Sequence, residues 1–152
     1  MKISTKGKYG LIAMVDLAAH EQDGHVSLAS LSTRQQISES YLGQILAALR
    51  RVNLVGSIKG AEGGYYLARR PEEITAGEVL EVLEGTIDVM SDAYAQRYGK
   101  MNGQALLNKC LQDQLWNRLN DCILDVIHQV TLKDLAERYN EMQEPEPFIY
   151  MI

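Results

Sequence analysis

A short stretch of the chain carries the kinds of side chains that contact DNA. Hydroxyl, amide and basic groups recur between residues 38 and 60, on one side of a predicted helix and in the turn after it. They are Ser38, Ser40, Tyr41, Gln44, Arg50, Arg51 and Lys59, with Gly60 beside the lysine. An amide can hydrogen-bond a base edge in the major groove, whereas hydroxyl and guanidinium groups contact phosphates. The pattern predicts a surface for double-stranded DNA. A solvated helix face with ordinary N-terminal caps is the alternative.

The distribution of charge favours the DNA-binding interpretation. The chain has 152 residues and a net charge of −5, but residues 1–70 carry +4 and the remainder carries −9. Lys2, Lys6 and Lys8 form a predicted N-terminal arm that contacts phosphates. A basic N-terminal half can approach DNA while an acidic C-terminal half stays away from it. Chance asymmetry between two solvated surfaces would give the same numbers.

Helices and a hairpin must position these side chains. A first helix is predicted over residues 8–21, and Ser27 and Ser38 are predicted caps of two short helices separated by Gln36-Ile37, as in a helix-turn-helix. The later of these helices has an apolar stripe at the i, i+3, i+4, i+7 spacing, formed by Leu42, Ile45, Leu46 and Leu49. Two strands around residues 54–58 and 65–67 flank Gly60, Gly63 and Gly64, which suit a hairpin that needs positive φ. The fold class is therefore mainly α with a small β wing, a winged helix-turn-helix.

The second half of the chain predicts a dimer. Thr75 and Glu78 form a predicted capping box for a helix that ends at Gly85, and a loop follows over residues 86–104. A long helix over residues 105–130 carries an apolar seam at nearly heptad spacing, which predicts a homodimer. The seam residues are Leu111, Leu115, Leu119, Cys122 and Val126. The predicted organisation is a DNA-binding domain over 1–85, the loop, the dimerisation helix with a short C-terminal helix over 105–140, and a tail over 141–152.

Other classes of function are disfavoured by what the sequence contains. No apolar run has the length that spans a bilayer, and the N-terminus has no signal-peptide pattern, so we expect a cytoplasmic protein that does not contact a membrane. No nucleophile stands with a base, and the glycines of GAEGG are not followed by the helix that binds phosphate, so an enzyme is not expected. A protein–protein adaptor stays as an alternative.

Four segments together resemble the Rrf2 family of bacterial transcriptional regulators. They are MKISTKGKYGLIAMVDLA, ISESYLGQILAALRRVNLVGSIKGAEGGYYLAR, ITAGEVLEVLEG and VTLKDLAE, within residues 1–87 and 105–139. The resemblance implies a winged-helix homodimer that binds a palindromic operator as a repressor. Many members of the family have glutamate at the position of Gly43. A carboxylate there can accept a hydrogen bond from cytosine, so base preference at that position is expected to differ here.

One branch of the family binds a [2Fe–2S] cluster through three cysteines that precede the long helix. The segment NKCLQDQLW resembles the end of that motif, and Cys110 matches its last cysteine, but residues 86–109 contain no cysteine and Asp113 replaces a histidine. Such clusters take four protein ligands, so no cofactor and no metal are expected. An iron–sulfur or redox-sensing regulator acting through Cys110 is the alternative, because a helix N-terminus would favour its thiolate. Cys122 is expected to be a packing residue.

Another branch controls cysteine metabolism, lacks the cluster cysteines and ends in a short apolar tail that finishes with isoleucine. The present sequence finishes FIYMI after a spacer that contains two prolines. The resemblance implies control of cysteine or sulfur metabolism, with Phe148, Tyr150 and Ile152 docking into cysteine synthase. A tail that packs on its own dimer stays open as the alternative.

Overall fold

The computed structural model describes residues 2–88 and 103–147, and in them the chain is mainly helical with one two-stranded sheet. The elements in chain order are α1 (Thr5–Ala19), α2 (Leu28–Gln35), α3 (Glu39–Arg51), β1 (Val55–Ile58), β2 (Gly64–Leu67), α4 (Ala76–Glu84), α5 (residues 103–129) and α6 (Leu132–Gln143). Helix α5 is continuous and contains a π-helical segment at Gln112–Trp116, between α-helical Gly103–Leu111 and Asn117–Gln129. Two short 3₁₀ turns lie at Glu21–Asp23 and Pro71–Glu73.

Hydroxyl caps determine where most of these helices begin. The predicted caps Ser27 and Ser38 are confirmed, since their side chains accept hydrogen bonds from the backbone N–H groups three residues later. The predicted capping box of α4 is also present, with Thr75 Oγ1 accepting from Glu78 N at 3.2 Å and Glu78 accepting from Thr75 N at 3.0 Å. Helix α1 begins three residues earlier than predicted because Ser4 caps it through Gly7 N.

The core lies between α1, α3, α4 and α6. The predicted apolar stripe of α3 is confirmed: Leu42, Ile45, Leu46 and Leu49 are all fully buried. Helix α6 packs on α1 and buries Leu132 in the same core. It extends to Gln143, four residues beyond the predicted end near residue 139 and into the predicted tail. The winged-helix body therefore includes α6.

The hairpin is antiparallel, with Val55 opposite Leu67 and Ile58 opposite Gly64. Of its three glycines only Gly60 has positive φ, at +112°. The prediction that Gly63 and Gly64 would need positive φ was wrong, because close backbone contact is the constraint there. A Cβ atom on Gly63 would lie 2.1 Å from the Ile58 carbonyl oxygen.

The long helix α5 lies along α4 at its C-terminal end. Most of the predicted loop, residues 89–102, lies outside the described residues, and residues 103 and 104 are already helical. None of the helices in residues 2–88 and 103–147 combines the length and the hydropathy that a membrane-spanning segment requires.

Candidate nucleic-acid interface

A tight turn joins α2 to α3 and presents the start of α3 to solvent. Gln36 ends α2 in the left-handed conformation, at φ 55°. Ile37 is buried, and its carbonyl accepts a hydrogen bond from Ser32 Oγ at 2.6 Å. Ser38 then caps α3, so only three residues, Gln36 to Ser38, separate the helices. This geometry is that of a helix-turn-helix, in which the second helix enters the major groove.

Helix α3 has one buried face and one exposed polar face. Five predicted DNA-binding residues are exposed on α3 or at its cap, namely Ser38, Ser40, Gln44, Arg50 and Arg51. In the described part of the chain neither arginine forms an ion pair, so both guanidinium groups are available to phosphates. Gln44 lies one turn inside the helix, where its side-chain amide can approach base edges while the two arginines contact the phosphate backbone of the DNA.

Tyr41 differs from the other predicted contacts because it is half-buried. Its ring meets Tyr9 of α1 edge to face, with centroids 5.7 Å apart and an interplanar angle of 72°. The pair braces α3 against α1 and brings the first turns of the two helices together. Tyr41 therefore has a packing role in addition to any contact with DNA.

The predicted basic arm is wrong in part, because two of its three lysines belong to α1. Lys6 and Lys8 lie in the first two turns of that helix, and only Lys2 precedes it. Lys8 is exposed and adjoins Tyr9, beside the start of α3. A helix holds Lys6 and Lys8 in fixed positions, which suits contacts at defined phosphates.

The wing places Lys59 and Gly60 at its exposed tip. It is fixed to the body by a pair of backbone hydrogen bonds between Val26 and Tyr65, both at 2.8 Å. His25 Nε2 also donates to the Glu62 carbonyl at 2.7 Å. This role of His25 could not be predicted from local patterns, because its partner lies 37 residues away. The anchored wing holds Lys59 in a defined place relative to α3.

An ion pair that sequence reasoning missed, between the buried Asp16 and the partly exposed Arg34, holds α2 against α1. Asp16 is 1% exposed and accepts hydrogen bonds from Arg34 Nε at 3.0 Å, from Arg34 Nη2 at 2.7 Å and from Gln35 Nε2 at 2.6 Å. The hydrogen bond to Asp16 raises the pKa of the Arg34 guanidinium above its ordinary value, outweighing partial burial. The one signal in the sequence was the carboxylate of Asp16 next to Leu17, on the side of α1 that is expected to be buried, because a buried charge needs a partner.

The chain is similar to known regulators over almost its whole length. The family described as "Rrf2: Iron-dependent Transcriptional regulator" matches residues 3–138. This chain belongs to the Rrf2 family. It is 39% identical over 148 residues to the HTH-type transcriptional regulator CymR of Bacillus subtilis (strain 168), covering 97% of this chain and 99% of that protein. It is also 39% identical over 145 residues to the regulator IscR of Cereibacter sphaeroides, covering 94% and 90% of the two chains.

A solved structure supports the same assignment. The structure of CymR, described as the global cysteine regulator of B. subtilis, matches with a TM-score of 0.75 at 38% identity, covering 91% of this chain and 98% of that one. The fold is thus that of a winged-helix Rrf2 regulator, and the chain is a DNA-binding transcriptional regulator. The relatives are regulators rather than enzymes.

The predicted seam of this Rrf2 chain faces outward from the body. Leu115 is 42% exposed, Leu119 38% and Val126 60%, while Leu111 is half-buried. Cys122 is exposed too, so the expectation that it is a packing residue is not met within the single chain. Residues 123, 124 and 127 are half-buried instead and face the body. The helix presents one apolar side to its own chain and leaves the seam uncovered.

The residues present do not fit the cysteine-ligated cluster that one Rrf2 branch binds. Cys110 and Cys122, the two cysteines of the chain, are both exposed and stand twelve residues apart on α5. That is about 18 Å along the helix axis, beyond the reach of one cluster. In the described ranges, no three ligand-type side chains converge on a metal site. Cys110 lies seven residues after Gly103, inside the helix, so the expected effect of a helix N-terminus on its thiol does not apply.

Proposed function

We propose that this Rrf2 regulator is a cytoplasmic homodimer without catalytic activity that binds a palindromic operator and represses genes of cysteine or sulfur metabolism. The observation that carries the DNA-binding mode is the exposed polar face of α3 beside the anchored wing. Gln44 is proposed to contact a base edge in the major groove. Arg50 and Arg51 neutralise phosphates, and Lys59 contacts the backbone or the minor groove beside the operator half-site.

The homodimer is supported by the apolar side chains that α5 leaves exposed. Leu106 is 73% exposed, Leu107 60% and Val126 60%, in addition to Leu115 and Leu119. Several large exposed apolar side chains on one helix favour an association site. In a twofold dimer the same surface is used on both chains, so one seam can pair with its own copy. Two recognition helices would then face successive major grooves of a palindrome.

The assignment to cysteine or sulfur metabolism rests on similarity to a regulator of known scope. CymR of B. subtilis is described as a global cysteine regulator, and the match spans 99% of that protein. IscR matches almost as well. The cysteine content separates the two, because a chain with two distant cysteines does not provide the ligand set of a cluster. A redox regulator acting through Cys110 is the second candidate, favoured by the exposure of that thiol.

Genome-wide DNA footprinting of the native protein tests this proposal. We expect bound promoters to contain a shared palindrome and to precede genes for sulfur uptake or cysteine synthesis. Promoters of genes for iron–sulfur cluster assembly would instead support the alternative, an iron–sulfur or redox-sensing regulator acting through Cys110. Absence of salt-dependent binding to any sequence would contradict the DNA-binding function and favour an adaptor.

A finer proposal concerns the tail, residues 148–152, which lies outside the described residues together with Phe148, Tyr150 and Ile152. Helix α6 ends at Gln143, and the exposed residues 144–147 include two prolines that cannot continue the helix. We propose that the apolar residues beyond this spacer dock into cysteine synthase and couple repression to the supply of its substrate, O-acetylserine. Titration of cysteine synthase with the full chain should show binding, and a chain shortened after Pro147 should show none.

A self-packing tail is the alternative occupant in that experiment. An apolar groove of about 450 Å³ lies between α1 and α6, and its lining includes Leu11, Ile12, Val15, Leu135 and Met142. The last turn of α6 forms one wall, so the spacer begins beside the groove. Equal binding of cysteine synthase by both chains, or none by either, would favour this groove over the enzyme.

A further inference from the structure

The C-terminal end of α5 is attached to the start of α4 by backbone and side-chain contacts. Ala76 N donates to the Val130 carbonyl at 2.9 Å, and Leu132 N donates to the Ile74 carbonyl at 2.9 Å. These bonds form an isolated β-bridge between Thr75 and Thr131. Since α6 is embedded in the core immediately afterwards, the turn at residues 130–131 is a fixed point about which α5 is oriented.

Beside this fixed point the ring of His128 covers Gly77. A Cβ atom on Gly77 would lie 2.6 Å from both Cε1 and Nδ1 of that ring, closer than side chains approach one another. The ring is held on both sides, with Nε2 3.0 Å from Glu81 Oε1 and Nδ1 3.4 Å from Thr75 Oγ1. Moving the ring away would forfeit both contacts. The absence of a side chain at Gly77 therefore leaves the space that the His128 ring occupies between α4 and α5.

Extra volume at this position would be amplified along α5. Ordinary carbon contacts begin near 3.5 Å, so a methyl group on Gly77 demands a displacement of about 1 Å. Applied about 5 Å from the fixed point, that displacement tilts the helix by about 10°. Leu115 stands fifteen residues before Val130, about 22 Å along the axis, and would move by about 4 Å. This exceeds the rise of one base pair, about 3.4 Å.

We infer that the contact between Gly77 and His128 sets the angle between the dimerisation helix and the winged-helix body, and thereby the spacing between the two operator half-sites. Both are positioning residues that do not touch DNA. The inference rests on the proposed homodimer, because only a dimer converts the angle of α5 into a distance between recognition helices.

The test uses a palindrome that the wild-type full-length chain selects from random DNA, versions of it with one or two base pairs inserted or removed at the centre, and a single half-site. The affinity of Gly77→Ala for the half-site should stay within about twofold of wild type. Its affinity for the selected palindrome should fall about tenfold, which corresponds to about 1.4 kcal/mol of binding free energy. The variant should also prefer an altered spacing. Gly77→Ala with His128→Ala should restore the wild-type preference, because removing the ring makes room for the methyl group. Gly103→Ala on α5 is the matched control, since its added Cβ meets no side chain within 4 Å among the residues that the structure describes.

The possible failures are distinguishable. A wild-type chain that shows no preference for any spacing contradicts the homodimer and this inference together. A wild-type chain with a spacing preference that Gly77→Ala shares contradicts the inference alone, and so does a loss that His128→Ala fails to restore. If Gly77→Ala also loses half-site binding, the double variant decides: recovery of the half-site and of the spacing supports the inference, and recovery of neither overturns it.

Discussion

Replacing Arg34 by methionine should show how much its ion pair with the buried Asp16 stabilises the winged-helix body. The substitution keeps the aliphatic stem and removes two of the hydrogen bonds that the Asp16 carboxylate accepts. Gln35 Nε2 remains at 2.6 Å, and the His20 ring lies 3.3 Å from the other carboxylate oxygen. The carboxylate would be left buried without its principal positive partner.

The expected loss follows from the burial of the two partners. Breaking a fully buried pair by removing one partner costs about 3–5 kcal/mol. The Asp16 side chain is 0% exposed, but that of Arg34 is 33% exposed, so water screens part of the interaction. With Gln35 still donating, we expect the free energy of unfolding to fall by about 2–3 kcal/mol. For a chain of this length the melting temperature should fall by roughly 5–10 °C.

Urea unfolding followed by circular dichroism at one protein concentration measures this difference. Arg138→Met is the matched control, because the Arg138–Glu141 pair is 71% and 65% exposed and its loss should cost less than about 0.5 kcal/mol. Asp16→Leu combined with Arg34→Met also removes the buried carboxylate, and should recover most of the free energy of unfolding that Arg34→Met loses. An Arg34→Met variant as stable as Arg138→Met, or a double variant less stable than Arg34→Met alone, would show that the pair with Asp16 does not stabilise the body in this way.

Three further predictions concern association, acid stability and helix α3. Leu115→Glu with Leu119→Glu should give monomers in sedimentation that bind operator weakly, and dimers from this variant would place the interface elsewhere. Burial by itself would raise the pKa of Glu78, but hydrogen bonds from Arg69 and the Thr75 N–H hold that pKa below its ordinary value of 4.5. The stability that the carboxylate contributes is therefore present above pH 4.5 and lost as the pH falls through the folded-state pKa. The difference in free energy of unfolding between wild type and Glu78→Gln should accordingly shrink in acid, and a difference that does not change with pH would contradict this. Gly43→Ala should raise the free energy of unfolding by about 0.5–1 kcal/mol, since the added Cβ would meet the Leu28 side chain at an ordinary contact distance of 3.9 Å. Gly10→Ala, whose Cβ would lie 2.0 Å from Leu83 Cδ1, should lower it, and equal effects of the two substitutions in urea unfolding would contradict the packing argument.

Local patterns were sufficient to predict most of the helix-turn-helix. Ser38 is a cap because its hydroxyl can satisfy a free N–H at the start of α3, and this depends only on neighbouring residues. The stripe that includes Leu42 and Ile45 follows from the helical period, so its burial could be predicted as well. The start of α1 was misplaced because the lysines after Ser4 were assigned to an arm, although that serine caps the helix.

The remaining features depend on contacts between distant parts of the chain. Asp16 meets Arg34 across 18 residues, and Gly77 meets His128 across 51, so neither partner can be found from spacing within one element. The anchoring of the wing through His25 is of the same kind. For the candidate site this means that the exposed polar face of α3 could be predicted from the sequence, whereas the contacts that hold α3, the wing and α5 in place could not.

We propose that the exposed face of α3 recognises bases while Arg50 and Arg51 hold the DNA backbone. Competition between selected operator and random DNA, at one salt concentration, tests it most directly with Gln44→Ala and Arg50→Ala. We expect Gln44→Ala to lose about 1–3 kcal/mol of binding free energy on the operator and little on random DNA, whereas Arg50→Ala should weaken binding to both alike. Equal losses on both DNAs for Gln44→Ala would contradict the assignment of base recognition to this face.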